Sequence, residues 1–201
     1  KFLEDTSKKL AIPQDVITRQ FTALTASVLG AGLSVDDAKK SFLAISSSIR
    51  GTGGNLEDMK AALRATSQVF SKGKVSAEEL RQQLGERLPG AFTLFAKSMD
   101  KTPAELDKAL EQGKVTLEDF TNFSQELLLR YEKNAELLAQ APEAAGDRLL
   151  TALSELRDNV GQLLRPIGAE FQSRFTAIVK QINGAAEALR EFLKIGEEYQ
   201  E

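Results

Sequence analysis

One phrase occurs twice in this chain, and it dictates where helices must end and begin. Gly73-Lys74-Val75-Ser76-Ala77-Glu78-Glu79-Leu80 and Gly113-Lys114-Val115-Thr116-Leu117-Glu118-Asp119-Phe120 share one order: glycine, lysine, valine, a hydroxyl residue, an apolar residue, two acids and a large apolar residue. Glycine takes the left-handed conformation that closes a helix, and Ser76 or Thr116 can cap the next helix by accepting an amide hydrogen bond. Glu79 and Asp119 stand three residues after those caps, so the first phrase predicts a capping box and the second a shorter version of it. Both acids also suit the positive end of a helix dipole.

The rest of the chain uses the same grammar. Residues 10–29 carry Ile12, Val16, Phe21, Leu24 and Val28 at helical spacing, with Pro13 suited to a first turn, and Gly30-Ala31-Gly32 stops that helix. Ser34 with Asp37 opens another, whose buried stripe is Ala38, Phe42, Ile45 and Ile49. Gly51-Thr52-Gly53-Gly54 lacks both the Gly-Lys-Ser/Thr ending of a phosphate-binding loop and a preceding strand, and reads as an inter-helix turn. Asn55 caps the helix that follows. Leu80, Leu84 and Leu88 share one helical face, Leu88-Pro89-Gly90 bends the chain, and Thr102-Pro103-Ala104-Glu105 spells a further start. Alanine, leucine and glutamate dominate, prolines number five, and no sustained alternation of β-branched residues occurs. An all-α fold is therefore expected: a multi-helix bundle of short capped helices.

From Leu149 onward the pattern changes. Leu149, Leu153, Leu156, Val160, Leu163, Ile167, Phe171, Phe175, Ile178, Ile182, Ala185, Leu189 and Phe192 follow steps of three and four, a heptad seam with one stutter near Pro166. Unbroken, residues 149–195 would span about 70 Å as helix. Pro166 predicts a kink or break. We divide the chain into a helical domain over 1–140 and a long helical segment over 141–201, which either packs back on the domain or associates with other copies. The start at Lys1 and the charged end at Glu201 read as those of a piece of a longer protein.

Composition narrows the chemistry. The chain contains neither cysteine nor histidine, which removes disulfides, thiolate metal sites, Ser-His and Cys-His dyads and the usual zinc sites. No cofactor is expected. A net charge of −3 and a pI near 5.3 argue against a general nucleic-acid binder. No apolar run has membrane length, so no membrane partner is expected for this segment. The adjacent acids Glu78-Glu79 and Glu118-Asp119 fall in first helical turns, where acids are favoured for electrostatic reasons rather than catalytic ones. Glu86 and Arg87 place two charges at the central bend, either as a salt bridge or as a solvated pair.

The run from Gly73 through Leu84-Gly85-Glu86-Arg87-Leu88-Pro89-Gly90-Ala91, continued by Thr102-Pro103-Ala104-Glu105-Leu106-Asp107 and the second phrase at Gly113, closely resembles the tape-measure domain of tailed-phage tail tape measure proteins. The likeness extends more loosely over residues 10–192. It implies a structural virion protein that occupies the lumen of the tail tube, sets tail length and leaves during genome ejection, after assembly in the host cytoplasm. The partners implied are the tail tube protein, tail assembly chaperones and distal tail or baseplate proteins. The resemblance carries no catalytic residues. The candidate structural or assembly motif is Gly73, Ser76, Glu79, Leu84, Gly85, Glu86, Arg87, Leu88, Pro89, Gly90, Thr102, Gly113 and Thr116, with the central bend serving as an assembly contact as well as a turn. The competing readings are a peptidoglycan-degrading tail enzyme fragment and a non-viral helical adaptor module.

Overall fold

The computed structural model describes residues 1–164 and, beyond them, 173–174, 176–178, 180–185 and 187–188. Among the described residues every regular element is helical, so the fold is all-α. In order these elements are α1 (Phe2–Leu10), α2 (Gln14–Gly30), α3 (Val35–Gly51), α4 (Leu56–Lys72), a π-helix (Glu78–Leu84), α5 (Ala91–Ser98), α6 (Pro103–Glu111), α7 (Leu117–Ala139), a 3-10 turn (Pro142–Ala144) and α8 (Ala145–Leu164). The chain divides into two compact units: Thr18–Ala139, and Lys1–Ile17 together with the chain from Gln140 onward.

Within the larger unit α3 lies centrally and makes its most extensive contact with α7. Its predicted stripe, Ala38, Phe42, Ile45 and Ile49, is fully buried, and so are Ser41, Ser46, Ser47 and Ser48. Small side chains let the backbones approach closely. A Cβ added to Gly51 would stand 3.0 Å from the Tyr131 carbonyl oxygen, and Asn134 Nδ2 donates to the Gly51 carbonyl at 2.5 Å. The side-chain donor thereby satisfies one of the carbonyls that every helix C-terminus leaves unpaired.

Phe70, Phe95, Phe120 and Phe123 form the aromatic heart of the unit. Phe120 meets Phe70 and Phe95 edge-on, with ring centroids 5.6 and 6.2 Å apart, and Phe95 stacks on Phe123 at 4.8 Å. Such pairs add about 0.5–1.5 kcal/mol each beyond the area they bury.

Two regions differ from the expectation. Residues 2–10 form α1, which the sequence reading did not include. The helix ends on Ala11 in the left-handed conformation (φ 51°), with the Ile12 amide donating to the Ser7 carbonyl at 3.0 Å. α2 then opens on Pro13, whose carbonyl accepts from Ile17. In α8 the covered positions are Asp147, Thr151 and Ser154, whereas Leu149 and Leu156 of the heptad seam remain 40% and 50% exposed. The expected kink at Pro166 and the seam positions Ile167, Phe171, Phe175, Leu189 and Phe192 lie outside the described residues.

Candidate functional site

The two copies of the phrase bracket the motif, and both glycines do what their positions require. Gly73 has φ 68° and Gly113 φ 64°. At the second site the Gly113 amide donates to Leu110 and the Lys114 amide to Ala109, the paired bonds of a Schellman stop. Val75 and Val115, two residues on, are both buried.

At Thr116 the predicted box forms. The Thr116 amide and hydroxyl both donate to Asp119 Oδ2 at 2.8 Å, and the Asp119 amide donates back to Thr116 Oγ1 at 3.2 Å. Thr102 and Glu105 repeat this geometry at α6, with Pro103 in the first turn, as Ser34 and Asp37 do at α3 and Asn55 and Asp58 at α4. Hydrogen bonds from the backbone and hydroxyl of Thr102 hold the Glu105 carboxyl below its usual value.

At Ser76 the box does not form, which corrects the expectation. The Ser76 carbonyl accepts from the Leu80 amide at 3.2 Å, so the helix does start there, but its hydroxyl is buried without a partner. Glu79 is instead drawn inside, fully buried, and hydrogen-bonded to Lys72 of α4. That bond raises the Lys72 pKa above the ordinary 10.5. The structural cause is already in the letters. The residue before Gly73 is a lysine able to reach back to a long acid, whereas the residue before Gly113 is Gln112 and the acid is the shorter Asp119. The arrangement leaves Glu79 Oε2 and Ser76 Oγ unsatisfied, at about 1–3 kcal/mol for each buried group.

The segment 78–84 adopts a π-helix rather than an α-helix. Leu80, Leu84 and Leu88 are buried as predicted. Gly85 follows at φ −65°, yet a Cβ there would lie 2.3 Å from the Arg81 carbonyl oxygen and 3.1 Å from that of Leu80. Only glycine fits this backbone. Arg81 grips Asp107 with two guanidinium nitrogens, and its guanidinium carbon lies 3.7 Å from the centroid of the Phe92 ring.

Of the two arrangements open to Glu86 and Arg87, the mutual salt bridge does not form. Both lie in the turn after the π-helix, where Glu86 is exposed and Arg87 reaches Asp58 of α4 at 3.4 Å. Pro89 is exposed, and Gly90 (φ 81°) turns the chain into α5.

A groove of about 550 Å³ between α5 and α7 carries Asp100 and Glu126 beside Lys97, Ser98 and Arg130. Among the described residues no three acids gather to hold a metal, and no helix is long and apolar enough to cross a membrane.

Against this all-helical architecture, residues 1–169 match the family described as Tape measure protein. The chain belongs to that family. A probable tape measure protein of Salmonella phage Felix O1 is 49% identical over 77 residues, covering 38% of this chain and 10% of the phage protein. The chain thus spans a small fraction of the length of the curated relative it matches. No solved structure matches it. For a tape measure family member, successive helix stops and capped restarts make a folded unit whose termini are fixed by local sequence.

Proposed function

We propose that this chain is the helical domain of a phage tail tape measure protein, a structural part of the virion tail that helps set tail length. The observation that supports this reading is the family match across residues 1–169, which spans both compact units. In the full protein the domain works with the tail tube protein, tail assembly chaperones and distal tail proteins, resides in the tube lumen once the tail is built, and associates with other copies through the C-terminal helices. The part of the protein beyond this domain supplies the measuring length, at about 1.5 Å of tail per helical residue.

Deletions in the phage gene test this. Removing whole heptads from helical sequence beyond the domain should shorten tails in proportion. Removing residues 72–120 should abolish tails or leave their length uncontrolled, because it destroys the capped helices and the phenylalanine cluster they carry. Electron micrographs showing viable, proportionally shorter tails after the central deletion would overturn the division between folded domain and ruler. Release of soluble muropeptides from purified cell wall by this chain would replace the structural reading with a hydrolytic one.

A further inference from the structure

The same phrase has two fates, and the difference lies in which partner holds the acid. At 116–119 the carboxylate sits on the amide and hydroxyl of the cap. At 76–79 it has been withdrawn to Lys72, and the two groups left buried without partners, Ser76 Oγ and Glu79 Oε2, are members of the very box the phrase spells. Turning Glu79 back to Ser76 would satisfy both. An independent observation concerns the backbone. The π-helix, with its i→i+5 bonds, has wider turns than an α-helix and is rare, and its exit at Gly85 admits no side chain because of the Arg81 carbonyl 2.3 Å away. A regular α-helix imposes no such restriction, since alanine is its most favourable residue.

We infer that residues 76–85 form a two-register switch. In the register seen here the π-helix buries Glu79 on Lys72. In the other, the segment is an α-helix opened by a Ser76–Glu79 capping box, and Lys72, whose side chain is already 47% exposed, is released to solvent or to an anionic partner group. Arg81 lies inside the π-helix, and Arg87 follows just beyond it. A change of register therefore re-aims both arginines, and with them the surface that the motif presents. This goes beyond the proposed structural role, because it gives the domain two faces from one sequence.

A double-mutant cycle on the 201-residue chain tests it. In the π register the Ser76 hydroxyl bonds to nothing, so Ser76→Ala should leave the unfolding equilibrium constant unchanged or slightly lower it. Gly85→Ala excludes the π register and should yield a folded protein in which Ser76 caps a helix. Adding Ser76→Ala to that background should raise the unfolding constant by roughly five-fold, the usual effect of losing a cap. Lys72→Met should create the same sensitivity to Ser76→Ala by freeing Glu79. Backbone chemical shifts of residues 77–84 in Gly85→Ala should become those of a continuous α-helix. The inference is overturned if Gly85→Ala fails to fold, or if Ser76→Ala has the same effect in all three backgrounds.

Discussion

Arg81 ties the π-helix to α6 by donating from Nε to Asp107 Oδ1 at 3.1 Å and from a terminal nitrogen to Oδ2, across 26 residues of sequence. The pair is bidentate, the geometry in which arginine outperforms lysine. Its side chains are 47% and 42% exposed, so solvent screening limits its worth. Comparing Arg81→Met, Asp107→Asn and the double variant by urea denaturation should give a coupling energy of about 0.5–1 kcal/mol. Arg81→Met should cost more than Asp107→Asn, because it also uncovers Phe92. Equal costs for the two single variants would show that the contact with Phe92 contributes nothing.

Gly73 and Gly113 present a different kind of necessity. A Cβ at either would meet nothing within 4 Å, so the penalty of substitution comes from positive φ alone. Gly73→Val and Gly113→Val should each destabilise by about 1–2 kcal/mol or more. Gly51 is the converse case: a Cβ there would press on the Tyr131 backbone at 3.0 Å, so Gly51→Ala should cost about 1–3 kcal/mol by forcing α3 and α7 apart. Unchanged denaturation midpoints in both valine variants would sink the account of the helix stops.

These positions also show what the letters could and could not tell. Capping needs only residues three apart, so the boxes at Ser34, Thr102 and Thr116 and the cap at Asn55 were legible before any packing was known. The stripe from Ala38 to Ile49 was legible for the same reason, helical periodicity being a local property. What was hidden depends on partners distant in sequence or on competition. Arg81 finding Asp107 and Arg87 finding Asp58 are tertiary contacts with no local signature. The Ser76 box lost to Lys72, a competition that the phrase alone does not reveal, although the lysine before Gly73 was there to be read. α1 escaped because its N-cap, Lys1, makes no side-chain capping bond and its stop uses Ala11 instead of glycine.

Two of the capping carboxylates contribute to the acid response. Thr102 holds the Glu105 pKa below the ordinary 4.5, through its backbone amide first and its hydroxyl second. Ser34 lowers Asp37 below 3.8 in the same manner, hydroxyl first. A carboxyl whose folded pKa is depressed stabilises the fold above its unfolded pKa and loses that contribution as pH falls through the folded value. Stability should therefore decline progressively below about pH 4.5, and Thr102→Ala should flatten part of that decline. Lys72 acts with opposite sign: its raised pKa gives stability present below 10.5 and lost as pH rises through the folded value. Thermal midpoints measured from pH 3 to 11 should show both limbs, and Lys72→Met should weaken the alkaline one. An acid limb identical in wild type and Thr102→Ala would contradict the assignment to the cap.

The last expectation concerns α8, where Leu149 and Leu156, seven residues apart on one helical face, are 40% and 50% exposed while Asp147, Thr151 and Ser154 are covered. Large apolar side chains repeating at heptad spacing on an uncovered face suit a second helix of the same kind, because a and d positions interlock into the spaces of a like seam. The self-association proposed above should therefore run through this face. Replacing Leu149 and Leu156 with glutamate sets like charges against each other across such a seam, and should shift the solution mass measured by sedimentation or light scattering toward that of the single 21.9 kDa chain. The circular dichroism of the variant should be nearly unchanged, since both positions already face solvent and glutamate is a good helix former. If the wild-type chain has the mass of one copy across the micromolar range, or if the double variant keeps the wild-type assembly, association through this part of α8 is excluded.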